Sequence, residues 1–171
     1  MTSSSRGARV ADPTLLDRSL AFALGRGVLD GLPSTASWIA ALPLLAMRLW
    51  LADIFFSAGR VRIESWDSQA FLFTQIHPVP YLPASIAAPM TTVAEIGLPV
   101  LLAFGLLGRF GALGLLVMAA TIQFVVGQTP QGMENGIANP VHYWWMAIAL
   151  ILTLTGPGRL SIDALLARRF L

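Results

Sequence analysis

The residues that could do chemistry in this chain are few, and most sit where water should be scarce. Arg48 and Asp53 share one long apolar run, Glu95 lies in the middle of a second, Gln123 is near the end of a third, and His142 opens a fourth. A charged side chain at the centre of a bilayer costs about 2.5–3.5 kcal/mol on insertion scales, so each needs a partner or a function. Arg48 and Glu95 are opposite in sign and lie near the middles of the first two runs. They are expected to meet as an intramembrane polar pair, which either fixes helix packing or takes a direct part in binding or proton transfer. Removing one partner of such a pair costs about 3–5 kcal/mol. Pro99 has no N–H to give the Glu95 carbonyl, so a kink and a free acceptor are expected beside that carboxylate.

A second polar layer is expected further outward. Asp53 stands five residues beyond Arg48, about 7–8 Å along a helix. Thr91, Thr92, Gln123 and His142 are expected at comparable depth, with His77 and Trp66 in the loop above. Facing inward, these side chains would form an outward-opening pocket in which a carboxylate and an imidazole could exchange protons. The plainer reading of His142 is an interfacial residue. No catalytic residue is assigned. A metal centre is not expected: His77, His142, Asp53 and Met118 or Met133 show no short ligand spacing. P-loop, Rossmann, nucleophile-elbow and zincin motifs do not occur. The paired glycines Gly105/Gly108 and Gly111/Gly114 suit close helix approach.

The elements that must hold these residues follow from composition. Of 171 residues, 56% are hydrophobic and 12% charged, and the mean hydropathy is +0.70. A soluble domain carries about 25% charged residues, so the bilayer is the natural solvent here. With no cysteine, disulfides, thiolate metal sites and cysteine nucleophiles are excluded. The net charge is +2 and the arginines are scattered, which argues against nucleic acid as a partner. Residues 1–33 read as a polar cytoplasmic extension with a short helix over 14–29. Residues 34–171 read as a membrane domain with spans at about 36–58, 83–107, 110–126 and 141–155. A span needs about 20 apolar residues, and the last two runs lie near the lower limit. The fold class expected is all-α, a bundle of four transmembrane helices.

Orientation follows from arginine. With the N-terminus inside, Arg6, Arg9, Arg18, Arg26, Arg109, Arg159, Arg168 and Arg169 are cytoplasmic, against Arg60 and Arg62 outside. Both termini are therefore expected in the cytoplasm. Trp66, Tyr81, Tyr143, Trp144 and Trp145 fit an aromatic belt at the outer interface.

Several stretches resemble the DoxX family of small bacterial membrane proteins. Arg48-Leu-Trp-Leu-Ala-Asp-Ile-Phe-Phe-Ser-Ala-Gly59 resembles its first-helix signature, and Glu95 its acidic position in the second helix. Gly105-Leu-Leu-Gly-Arg109 resembles its hairpin, while His142 and Gly156-Pro-Gly-Arg-Leu-Ser-Ile-Asp163 resemble its carboxy-terminal part. Arg62 stands where members often carry Lys. The stretches Ser65–Ser68 and Val79–Pro83 also look like a subgroup linked to peptide modification and copper stress. The resemblance implies a multi-pass inner-membrane protein associated with redox or peptide-modification systems. The expected function is an accessory subunit with a protein partner or a second copy, holding a quinone or small apolar ligand. A stand-alone quinone-linked oxidoreductase is the enzyme alternative, though no electron-carrying motif is visible. A small transporter or channel is the third, against which stands the lack of an internal repeat.

Overall fold

The structure is a computed structural model, and it describes residues 34–170. The helix expected within 14–29 lies outside the described residues. Among the described residues the regular structure is all helical, without strands. Five helices carry the architecture: α1 (Ser34–Glu64), α2 (Ala84–Phe104), α3 (Gly108–Phe124), α4 (Val141–Thr155) and α5 (Ile162–Phe170). Short helical turns fill the α1–α2 and α3–α4 connections, among them a π-helical stretch at Leu72–Ile76.

Helices α1 to α4 pack in a ring, each against the next, with α4 returning to α1. Neighbours run antiparallel, as the short α2–α3 turn requires. One end, here the base, holds the start of α1, the α2–α3 turn and α5. The other, the crown, holds the two longer connections. Leu51, Leu102, Leu115 and Leu152, one from each helix, meet at the axis with Ala112, Ala119 and Ala149. Gly59 lies where a Cβ would come 3.0 Å from the Cβ of Glu95, and Gly111 where it would meet the Leu98 carbonyl at 3.1 Å. These two glycines bring α1 and α3 close to α2, the usual means of tight packing in lipid.

The outer faces are apolar. Ile39, Leu42, Val93, Val117, Trp144 and Leu154 are exposed on them. Three helical segments, Trp38–Glu64, Ala84–Phe104 and Gly108–Gln128, are long and apolar enough to cross a membrane. The fourth helix has 15 residues, about 22 Å, short of the roughly 30 Å hydrocarbon core. A four-span bundle is thus supported for three of its members by length and composition.

Helix α1 runs to Glu64, six residues past the end expected from hydropathy. Arg60 and Glu64 face each other at 3.6 Å one turn apart, a spacing that supports helix beyond the apolar run. This lengthening shifts the register between α1 and α2, with consequences for the site.

The base is closed by backbone capping. Gly105 takes a left-handed conformation (φ 64°) and ends α2, with Leu106 N–H donating to Leu101 O and Gly105 N–H to Leu102 O. Asp163 is fully buried and accepts from the N–H groups of Leu107 and Gly108 at 2.9 Å each, which caps α3. The Asp163 N–H returns a bond to Gly105 O.

Candidate functional site

The expected Arg48–Glu95 pair does not form. Arg48 is buried at the base and donates to four carbonyls: Leu102 (3.0 Å), Ala103 (2.6 Å), Pro157 (2.7 Å) and Leu160 (2.8 Å). Its guanidinium therefore bonds last-turn carbonyls of α2 and ties the 157–160 turn to them. Glu95 instead receives Arg62, through Nε at 2.5 Å and Nη2 at 3.1 Å. This two-point contact is the geometry in which a guanidinium and a carboxylate bind best. The Arg62 side chain is 18% exposed and that of Glu95 3%. Gln69 Oε1 accepts a third bond from Arg62 at 3.2 Å, and the Phe73 ring lies 5.0 Å beneath the guanidinium.

Arg62 and Glu95 border a cavity of about 590 Å³ between the helices on the crown side. Phe55 and Ala58 of α1, Ala94 and Leu98 of α2, Val117 and Met118 of α3, and His142 and Trp145 of α4 contribute to its wall. Thr91, Phe73 and His77 also line it. Met90 and Val117 are exposed, so the rim opens between α2 and α3.

The polar groups in the wall have assignable states. Gln123 Oε1 accepts from the Asn139 backbone N–H at 2.9 Å, which fixes the side-chain amide, because a backbone nitrogen can only donate. The same oxygen lies 2.8 Å from His142 Nδ1, so that nitrogen must carry a proton. A neutral His142 then presents Nε2 as an acceptor. Trp145 Nε1–H is buried and has no hydrogen-bond partner among the described residues. The Trp145 ring stands 4.8 Å from His142 and 5.4 Å from Phe55, centroid to centroid. His77 packs its edge on Phe73 at 4.7 Å. Burial first, and then the Arg62 charge, hold the His77 imidazole below its ordinary value of 6.5, so it is biased toward the neutral form.

The expected outward pocket is only partly assembled. Thr91, His77 and His142 line the cavity. Gln123 stands behind His142, and Thr92 is buried with its hydroxyl donating to Ala88 O. Trp66 is exposed in the crown loop and is not among the lining residues. Asp53 is exposed on the outer surface, in a separate groove between α1 and α2 bordered by Pro99 and Val100. It is therefore nearer the base than Glu95, and the expected Asp53–His142 proximity is not found. Among the described residues, no three histidine, aspartate or glutamate side chains gather as a metal site.

Two residues central to this geometry escaped the sequence reading. The apolar run ends near Ala58, which by hydropathy puts Arg62 in a loop, yet the Arg60–Glu64 spacing signals more helix. Position in the chain groups Trp145 with the interfacial Tyr143 and Trp144, which are exposed. One hundred degrees per residue carries Trp145 to the opposite face from Tyr143, and that is the readable signal.

Comparison with known proteins gives two matches. The family model of DoxX covers residues 43–128. An uncharacterised protein of Haemophilus influenzae is 32% identical over 137 residues, which cover 75% of this chain and 86% of the relative. No solved structure matches.

Proposed function

Because this chain belongs to the DoxX family, we propose that it is a bacterial inner-membrane accessory subunit that holds an apolar ligand with a polar ring head, a quinone or its hydroquinone. It crosses the membrane four times with both termini in the cytoplasm, since among the described residues Arg109, Arg159, Arg168 and Arg169 cluster toward the base and only Arg60 and Arg62 toward the crown. Its partner is a redox or peptide-modifying system in the same membrane.

The observation that carries the ligand reading is the buried, unpartnered Trp145 Nε1–H on a residue of the cavity wall. A buried donor left unmade costs about 1–3 kcal/mol, which a ligand carbonyl would recover. His142 Nε2 supplies an acceptor for a ligand hydroxyl, so quinone and hydroquinone both find a complementary group. The remaining wall is largely apolar, and the volume falls within the range of small-molecule sites. The opening between α2 and α3 faces lipid, so a membrane-dissolved ligand enters sideways without crossing water.

The test is ligand-linked thermal stabilisation of the full chain in nanodiscs. A short-chain ubiquinone analogue is expected to raise the melting temperature saturably, and an alkane of equal length is expected to do less. Trp145→Phe should weaken the apparent affinity about five- to tenfold, the equivalent of one hydrogen bond, and Ala94→Phe should fill the cavity and abolish the effect. Equal shifts for quinone and alkane in all three proteins would refute the reading.

A further inference from the structure

We infer that the α1–α2 surface around Asp53 is a docking face for a transmembrane helix of another protein, one that carries a lysine or arginine in the half of the bilayer nearer the base. The inference deepens the accessory-subunit reading and rests on it, but it makes no use of the cavity.

Asp53 lies inside the 38–64 membrane-crossing segment and is exposed on its outer side. Its groove partner Pro99 is five residues from the end of α2 at Phe104, which puts the carboxylate about 7.5 Å inside the helix end. Lysine and arginine escape that depth by extending several methylenes toward water. An aspartate has one methylene and cannot. The surroundings give it nothing: Leu49 and Phe56 on α1 and Val100 and Phe104 on α2 border a shallow groove of about 290 Å³. Asp53 has no hydrogen bond or ion pair with any described residue. An intramembrane carboxylate without a partner in its own chain calls for one from outside.

Charge complementarity decides which partner. Along α1–α4 a second copy offers no free cation among the described residues: Arg109 is buried and engaged, and Arg168 and Arg169 stand on α5 at the base. Arg48 is spent on four carbonyls, Arg62 on Glu95, Arg60 on Glu64, and Arg159 lies 5.4 Å from the Trp38 ring. Two copies face to face would place carboxylate against carboxylate. A foreign helix with one basic residue at that depth neutralises Asp53, and its apolar neighbours fill the groove beside Val100.

The experiment measures association of the full chain with designed single-span polyleucine peptides by energy transfer in phosphatidylcholine vesicles. A peptide with lysine about 7 Å inside the base-side interface is expected to associate about fivefold or more tightly than the all-leucine peptide, the range found for polar contacts between membrane helices. Lysine at the same distance from the crown-side interface should give no gain. Asp53→Asn should reduce the gain and Asp53→Leu should remove it, while both variants keep the quinone-linked stabilisation of the parent. Equal association of all peptides, or a gain that survives Asp53→Leu, would overturn the inference. So would Asp53-dependent self-association of the chain without peptide. A native partner that copurifies undiminished with Asp53→Leu would sink this surface and leave the subunit reading standing.

Discussion

Every Cα–Cβ bond of a helix tilts toward that helix's N-terminus, and α1 and α2 run in opposite directions. Glu95 on α2 therefore leans toward the crown, whereas Arg62 on α1 leans down from it, and the two converge. Arg48 also leans toward the start of α1, away from Glu95 and onto the carbonyl end of α2. Sequence position placed Arg48 and Glu95 at similar depth, but direction of departure sends them apart. The chemistry at residue 95 was thus legible in the sequence and its partner was not. If the Arg62–Glu95 contact is a coupled unit, Glu95→Ala and Arg62→Ala should each cost about 3–5 kcal/mol of stability, because each strands a largely buried charge. The double variant Glu95→Ala with Arg62→Ala should cost clearly less than the sum of the two, giving a non-additive cycle in denaturant titrations in detergent. Additive losses would show that the two groups act independently.

Element boundaries decide which residues share a layer. Reading α1 as ending near residue 58 aligns Asp53 with Thr91 and Thr92, whereas a helix reaching Glu64 aligns it with Pro99 and Val100. The difference is about eight positions on α2, roughly 12 Å at 1.5 Å per residue. Hydropathy could not set that boundary, because Arg60, Arg62 and Glu64 are charged yet helical. The α2–α3 hairpin and α4 were legible, the first from the short Gly108–Arg109 connection between two apolar runs and the second from its own apolar run. Capping of the α2–α3 turn by Asp163, from more than fifty residues away, has no local signature. Helix α4 also carries the element-scale prediction. Its 15 residues are few for a span, yet His142 and Ala149 are buried in the ring and a bilayer can thin around a short helix. Alkaline phosphatase, active only outside the cytoplasm, should be active when fused after residue 138 and inactive when fused after residue 171. Activity at both positions would show that α4 does not cross.

At the scale of the molecule, the two ends do different work. The base is locked by Arg48, Gly105 and Asp163, where the guanidinium holds the end of α2 and the carboxylate the start of α3. The crown half is looser, and there the bundle leaves a cavity edged by Arg62, Glu95, His77, His142 and Trp145. Composition already gave the lipid solvent and the helical class. The division into a locked end and an open one depends on side chains from all four helices and emerges only from their packing. Because the chain has no cysteine and Thr121 lines the cavity, a single thiol at Thr121→Cys would report on it. The most direct measurement is the rate at which a small maleimide alkylates that thiol in nanodiscs, with and without a saturating short-chain ubiquinone analogue. The account predicts at least a several-fold slowing by the quinone, with no change at an exposed Phe124→Cys control. An unchanged rate at residue 121, or equal slowing at both positions, would contradict it.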